Sequence, residues 1–241
     1  LDYLYLTDGQ TQPTMTAESA CGVYRLAERL EIPTLQTTIT EFYRKHLNVS
    51  NMGKFLRAAN VHQVEQLAFV AKARIGSLIT GDPTLARLIK PLFLAQLEEI
   101  LSNHRQQLMQ HVQRSRPEAF ESLERAQSKR WSKAIYYCSI AQGNIFTPEI
   151  LEQVLCEKSL PAIDGGVALE LLALYTSILP TYTLRRQNLE RRCANGIMDD
   201  WQIVRRRFDS PEKLHEAIKS LLPPKLVREI MDHAKKDNFR E

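Results

Sequence analysis

The sequence predicts an all-α fold of antiparallel helix pairs, and three observations lead to this prediction. The 241 residues include only 9 glycines, whereas Leu, Ala, Glu, Gln, Arg and Lys dominate, and these residues favour helices. Apolar residues recur at helical spacing along most of the chain. Capping residues and prolines divide the pattern into short segments, as expected where one helix ends and another begins.

Four helices are predicted in the first part of the chain. Thr16 is a suitable N-cap for the first helix, and Pro33 ends it because proline disfavours helical geometry in the residue before it. Pro33 then opens the second helix. Ser50 is predicted to cap the third helix, and Gly76 is expected near the end of the fourth. An apolar helical pattern over 85–101 follows.

The second half repeats this alternation of helices and breaks. Residues 134–140 are predicted as a short apolar helix, Thr147 as the cap of the next, and 164–166 (Asp-Gly-Gly) as a turn. Pro180 is expected to form an elbow like that at Pro33, which suggests an internal duplication. The last two helices are predicted to start at Ser210–Pro211 and Pro223–Pro224.

Composition favours an intracellular globular protein, located in the cytoplasm or the nucleus. The net charge of +4 is mild, and no apolar run of about 18 residues could span a membrane. The four cysteines are far apart, which is typical of buried thiols in a reducing compartment. The chain starts with an apolar segment, 1–5, and without Met, so we expect it to be a fragment of a longer protein.

No catalytic or metal-binding motif stands out, so we expect a non-enzymatic protein without cofactor or metal. The sequence contains no nucleophile elbow, phosphate-binding loop or dinucleotide fingerprint. Glu98–Glu99 and Asp199–Asp200 are neighbours, and neighbouring helical side chains do not face one substrate. His104 and His111 are seven residues apart, too far to share a metal easily.

A cluster of arginines with nearby aromatic residues is the most basic part of the sequence. The favoured interpretation is a solvated face with salt-bridge partners, because Glu190, Asp199, Asp200 and Asp209 dilute the charge. The alternatives are that this cluster binds an acidic protein partner or, less favoured, nucleic acid. The arginines are Arg185, Arg186, Arg191, Arg192, Arg205, Arg206 and Arg207, and the last three are the candidate contacts.

The first eighty residues resemble the C-terminal part of a BTB/POZ domain that continues into a BACK-like helical region. The resemblance rests on the apolar and tyrosine stretch 1–5, the turn 7–9 and the Leu-Glu-Ile-Pro-Thr-Leu segment 30–35. It continues through the Asn-bearing cap at 48–51 and then, in order, Ala58, Ala59, His62 and Leu67. The N-terminal strands of a BTB fold are absent, and Ile39 stands where the family often has cysteine.

The resemblance implies a protein–protein adaptor with a BACK-like or solenoid-like helical array after a truncated BTB/POZ core. Many relatives dimerise through the N-terminal half that is missing here, and some recruit a cullin-type ubiquitin-ligase scaffold. The helix pair that would contribute to this contact is Asn51–Ile79. Within it Asn51, Phe55 and His62 are candidate partner contacts, and the alternative is that Phe55 is core and His62 a turn residue.

The predicted organisation has four segments. They are 1–47, the C-terminal portion of a BTB/POZ-like domain; 48–115, BACK-like helix pairs; 116–133, a polar helical connector; and 134–241, a second helical domain and possible diverged repeat. The sequence therefore favours an interaction scaffold that could serve as a substrate adaptor for a cullin-type ligase. A docking subunit of a large assembly and a nucleic-acid-associated regulator are the alternatives.

Overall fold

The computed structural model describes residues 15–88, 99–100, 106, 110, 119–142, 146–157, 159–179 and 184–238. About 82% of these residues are helical and none is in a strand, which confirms the predicted all-α fold. The chain divides into two compact units, Leu1–Ile75 and Gly76–Glu241. The predicted four-segment organisation stays a prediction. The sequence features at 1–5, 7–9 and Pro180 lie outside the described residues.

Unit 1 is built from consecutive helices joined by tight turns. The helices are α1 (Ala17–Arg29), α2 (Pro33–His46), α3 (Met52–Val61) and α4 (Glu65–Gly81), and α4 continues into unit 2. Thr16 caps α1 as predicted, with a reciprocal capping box. Its hydroxyl accepts a hydrogen bond from the Ser19 amide at 3.1 Å, and the Ser19 hydroxyl accepts from the Thr16 amide at 2.8 Å.

Tyr43 is the central side chain of the unit 1 core. It is fully buried, and its hydroxyl donates to the Ala17 carbonyl at 3.1 Å and lies 2.9 Å from the Cys21 sulfur. The Phe55 ring packs edge-on against the Tyr43 ring, with centroids 4.8 Å apart. Burial raises the pKa of both Tyr43 and Cys21, which keeps them neutral. This contact set joins α1, α2 and α3.

Two predictions for the first part of the chain, the N-cap of α3 and the end of α4, differ from the structure. Asn51 rather than Ser50 occupies the N-cap position of α3, and its side chain does not cap the helix amides. Gly76 lies inside α4, which continues to Gly81. A single glycine lowers helix propensity by only about 1 kcal/mol, which the surrounding apolar burial offsets.

Helices α1 and α3 end in the same way, with a left-handed residue that is not glycine. Glu31 and Gln63 both have φ of 53°. The amide of the following residue then bonds back to the last turn of the helix, from Ile32 to Ala27 and from Val64 to Ala59, each at 2.9 Å. This is the Schellman arrangement, and its left-handed position favours glycine.

We expect Glu31→Gly and Gln63→Gly each to raise the free energy of unfolding of unit 1 by about 0.5–1 kcal/mol, because glycine relieves the left-handed strain. The control Arg57→Gly, at an exposed position inside α3, should lower it by about 1 kcal/mol. Urea unfolding followed by hydrogen exchange of unit 1 peptides measures the change. Loss of stability in the first two variants would contradict the assignment.

Unit 2 contains a 3-10 helix and seven further α-helices among the described residues. The 3-10 helix is Pro83–Leu88; the others are α5 (Phe120–Gln142), α6 (Pro148–Val154), α7 (Gly165–Ile178), α8 (Leu184–Asp199), α9 (Trp201–Arg205), α10 (Pro211–Leu221) and α11 (Pro224–Asn238). Helix α7 is central, since it packs against α5, α8, α9 and α10. Among the described residues, no helix is both long and apolar enough to cross a membrane.

The predicted cap Thr147 and the predicted helix start at Ser210–Pro211 are confirmed. The hydroxyls of Thr147 and Ser210 accept from the amides of Ile150 and Lys213. Two other predictions are wrong. The expected short helix at 134–140 is part of the 23-residue helix α5. The expected turn at 164–166 is the start of α7, where the Asp164 carboxylate accepts from the Gly166 amide at 2.9 Å. An aspartate N-cap makes two successive glycines tolerable in a first helical turn.

The N-terminus of α7 is held by polar side chains from α5 and from the α8–α9 junction. The Asp200 carboxylate accepts from the Gly165 amide at 2.9 Å and from the Lys129 ammonium at 3.0 Å. The Ser132 hydroxyl accepts from the Asp164 amide at 2.9 Å, and Lys133 pairs with the Asp164 carboxylate at 3.0 Å. We call this set the α7 clamp. It satisfies amides that a helix N-terminus leaves without helical partners.

Two glycines allow the backbones of α7 and α8 to touch beside the clamp. A Cβ on Gly165 would lie 2.3 Å from the Gly196 carbonyl oxygen, and a Cβ on Gly196 would lie 2.3 Å from the Ile163 carbonyl oxygen. Backbone atoms cannot move aside as a flexible side chain can. The close approach therefore requires glycine at both positions.

We expect Gly165→Ala and Gly196→Ala each to lower the free energy of unfolding of unit 2 by about 2–3 kcal/mol, because the added methyl group forces α7 and α8 apart. Gly81→Ala is the matched control, since nothing lies within 4 Å of the position that its Cβ would take; it should leave stability unchanged or slightly raised. Both tryptophans, Trp131 and Trp201, lie in unit 2, so tryptophan fluorescence in urea reports this unit. Equal stability of all three variants would contradict the close approach.

Candidate functional site

Phe55, a candidate partner contact, lies in the unit 1 core. Its side chain is 6% exposed, and its ring packs against Tyr43 and, at 6.0 Å between centroids, against Phe42. This agrees with the alternative interpretation, in which Phe55 is core. Its side chain is therefore not available to a partner on the surface of the folded unit.

Asn51 and His62, the other two candidates on this helix pair, lie in turns. The Asn51 amide group donates to the His46 carbonyl at 2.9 Å, and its oxygen accepts from the Asn48 amide at 2.8 Å. His62 is the C-cap of α3, and its backbone amide bonds back to Ala58. The Asn51 side chain therefore stabilises the α2–α3 turn. The structure does not bring Asn51, Phe55 and His62 into one surface cluster.

Val61 and Phe69 are the large apolar side chains that α3 and α4 expose. Val61 is 69% exposed and Phe69 is 41% exposed. Helical spacing indicates that Val61 is exposed. Val61 follows the buried Met52 by nine residues, about two and a half helical turns, so the two side chains lie on opposite faces of α3. We call these two side chains the α3–α4 apolar pair.

Four of the seven arginines of the cluster take part in ion pairs within unit 2. Arg185 on α8 pairs with Glu152 on α6, Arg191 on α8 with Glu229 on α11, and Arg207 with Glu170 on α7. Within α8, Arg186 pairs with the buried Glu190 at 2.8 Å. These pairs favour the interpretation of a face whose charges are balanced locally.

The other two candidate arginines lie close by in sequence. Arg205, Arg206 and Arg207 are all exposed, at the end of α9 and in the turn after it. Arg206 is the C-cap of α9, and its amide bonds back to Gln202 at 3.3 Å. Arg207 pairs with Glu170, a contact that ties the turn to the central helix α7.

Arg192 differs from the rest of the cluster, because it is buried and bonded to backbone carbonyls. It is 8% exposed, its guanidinium donates to the carbonyls of Leu155 at 2.7 Å and Leu160, and its Nε donates to that of Asn188 at 3.3 Å. Burial lowers its pKa, yet arginine stays charged at neutral pH. The nearby Glu157 carboxylate opposes this lowering of the pKa of Arg192, because it favours the charged guanidinium.

A cavity of about 470 Å³ lies beside Arg192, between α6, α7 and α8. Its buried lining consists of Leu155, Tyr175, Leu189 and Arg192, and the half-buried Cys156 also faces it. The exposed or half-buried charges at its rim include Glu149, Glu152, Glu157 and Arg185. We call it the Tyr175 cavity, and its volume falls in the range of about 300–1,000 Å³ typical of ligand pockets.

Tyr175 carries a buried hydroxyl that has no hydrogen-bond partner within the described part of the chain. The side chain is 2% exposed. Leaving a buried hydroxyl unpaired costs about 1–3 kcal/mol, so such groups are uncommon. No local sequence signal points to this site, because Tyr175 falls in the apolar run of α7 and its neighbours come from distant segments.

All four cysteines are free thiols, and three of them are buried as predicted. Cys156 is the exception, and its sulfur lies 3.2 Å from the Ser159 hydroxyl. Burial raises the pKa of Cys193 to about 12, which keeps that thiol protonated. Among the described residues, no group of three or more His, Cys, Asp or Glu side chains could hold a metal ion.

Comparison of the chain with family models, curated proteins and solved structures finds no match. The resemblance to BTB/POZ and BACK proteins therefore stays a prediction from the residues quoted above.

Proposed function

We propose that this chain is a non-enzymatic interaction scaffold of the BTB–BACK kind, and that it binds a cullin-type ubiquitin-ligase scaffold through the helix pair α3–α4. The observation that carries the proposal is the exposure of Val61 and Phe69 on that pair. The family resemblance assigns the partner contact to the same segment, Asn51–Ile79. The buried Phe55 is therefore not part of the proposed contact.

Charged residues accompany each member of the α3–α4 apolar pair along its own helix. On α3, Lys54 and Arg57 are seven and four residues before Val61, and Arg57 is exposed, so the three follow one face of the helix. On α4, Glu65 is exposed four residues before Phe69. Apolar anchors with charged residues nearby have the composition of a protein interface, with an apolar centre and a polar rim.

Burial of these two side chains would contribute part of the binding free energy of such a contact. Full burial of a valine or phenylalanine side chain contributes about 1.5–3 kcal/mol. Aromatic residues at the centre of an interface often cost about 2 kcal/mol or more when they are removed. Phe69 is therefore the expected anchor, and Val61 extends the apolar contact.

We expect the double variant Val61→Asp/Phe69→Asp to lose at least about tenfold in affinity for a purified cullin N-terminal region, since it places two charges in the apolar contact. The matched control is Ile140→Asp/Ile203→Asp, which changes exposed apolar residues of unit 2 (53% and 54% exposed). Surface plasmon resonance measures the affinity, and circular dichroism checks that both variants fold.

A wild-type chain that binds no cullin N-terminal region would refute the cullin assignment. Equal loss of binding in the two double variants would show that α3–α4 is not the contact. Affinity purification from native cells adds a separate test of the scaffold. Recovery of a fixed set of structural proteins in place of a cullin and its ligase partners would favour a docking subunit of a large assembly.

A further inference from the structure

Unit 1 contains two copies of one helical hairpin, and equivalent residues of the copies are 32 positions apart. The left-handed residues after α1 and α3, Glu31 and Gln63, are equivalent, and both have φ of 53°. At the start of each copy a backbone amide donates at 2.8 Å to the side chain three residues later. The two bonds run from Thr16 to Ser19 and from Asn48 to Asn51. A fixed period with the same local bonds identifies 16–43 and 48–75 as tandem repeats.

The two repeats also bury the same positions. Both side chains are buried at five equivalent pairs, which are Ala20 and Met52, Tyr24 and Leu56, Ala27 and Ala59, Ile39 and Ala71, and Tyr43 and Ile75. The first helices of the repeats, α1 and α3, pack against each other, as neighbouring units of a helical repeat do. Equivalent exposed positions of α1 and α3 therefore form one continuous surface.

This surface is basic. Arg25 and Arg29 are exposed about one turn apart on α1, and Lys54 and Arg57 are exposed about one turn apart on α3. Arg25 and Arg57 are equivalent residues of the two repeats. Among the residues that the structure describes, none of the four forms an ion pair, unlike the four paired arginines of the unit 2 cluster. We call these four side chains the α1–α3 basic face.

We propose that the α1–α3 basic face binds an acidic protein segment that also carries apolar residues. Glu18 and Glu28 are the acidic residues of α1 and α3 has none, so cations outnumber carboxylates on these helices by four to two. Carboxylates of a partner would supply the missing counter-charge. Val61, which is 69% exposed on the same side of α3 as Lys54 and Arg57, provides an apolar contact.

The surface suits a protein segment better than nucleic acid. Proteins that bind single-stranded nucleic acid combine basic grooves with aromatic side chains on which bases stack. The aromatic residues of α1 and α3 are Tyr24 and Phe55, and both are buried. The basic face shares Val61 with the proposed cullin contact, but the proposal depends on the four cations and requires no cullin.

A fluorescein-labelled peptide of four Asp-Asp-Leu repeats is the probe, and a peptide of four Ser-Ser-Leu repeats and an oligothymidylate of similar length are the comparisons. Fluorescence anisotropy with the 241-residue chain should show the acidic peptide binding at least about tenfold tighter than the Ser-Ser-Leu peptide. Oligothymidylate should bind more weakly than the acidic peptide. The affinity for the acidic peptide should fall as salt is added, because salt screens exposed charges.

The double variant Arg25→Gln/Arg57→Gln removes one cation from each repeat and keeps residues that favour helices. It should bind the acidic peptide at least about fivefold more weakly than the wild type. The matched control, Arg206→Gln/Arg228→Gln, removes two exposed arginines of unit 2 and should bind as the wild type does. Circular dichroism checks that both variants fold. Neither variant changes Val61 or Phe69, so this test is separate from that of the cullin contact.

Gly22 allows a test by gain of affinity. It is exposed, it is the equivalent of Lys54, and nothing lies within 4 Å of the position that its Cβ would take. Gly22→Lys places a fifth cation on the face, one turn from Glu18, and should tighten binding of the acidic peptide at least about threefold. Gly81→Lys is the control, since its Cβ position is equally open, and should leave the affinity unchanged.

Three results would overturn the proposal. The first is no binding of the acidic peptide by the wild-type chain at about 0.1 mM, or tighter binding of oligothymidylate. The second is unchanged affinity in Arg25→Gln/Arg57→Gln, or an equal loss in its unit 2 control, which would place the contact elsewhere. The third is equal affinity of Gly22→Lys and Gly81→Lys.

Discussion

The hydrogen bond from the Gly165 amide to the Asp200 carboxylate is the contact on which the rest of unit 2 depends. Helix α7 is the centre of this unit, and its first amides face side chains rather than water. Asp200 holds the Gly165 amide and, at the same time, the Lys129 ammonium of α5. One carboxylate thus joins three segments that are far apart in sequence.

The glycines make this contact geometrically possible. Gly165 and Gly196 let the start of α7 approach the end of α8 until backbone meets backbone, and only then can Asp200 reach the α7 amide. The two helices then run side by side toward Tyr175 and Arg192.

Local signals in the sequence predict the helical class and several helix ends. Thr16, Pro33, Thr147 and Ser210 act through neighbours within three or four residues, so their roles can be inferred without the fold. Asp200 cannot be interpreted in this way, because its partners Lys129 and Gly165 are 71 and 35 residues away. The two glycines at 165–166 predict a turn because glycine disfavours helices, whereas the close contact of Gly165 with Gly196 of α8 is visible only in three dimensions. The role of Phe55 could not be predicted from the sequence either. A phenylalanine at this position could be a core residue or the floor of a surface groove, and its packing against Tyr43 identifies it as core.

Hydrogen exchange at the start of α7 tests the central role of Asp200 most directly. Exchange of the Gly165 amide, measured by NMR, should be at least about tenfold faster in Asp200→Ala than in the wild type, because a bond to a charged acceptor contributes about 1.5–3 kcal/mol. Asp199→Ala removes the neighbouring carboxylate, which pairs with Arg125 at 3.2 Å and with Lys129 at 3.5 Å. Because the Gly165 amide bonds to Asp200, this variant should change that exchange rate much less than Asp200→Ala does. Equal exchange of Gly165 in the wild type and Asp200→Ala would contradict the account.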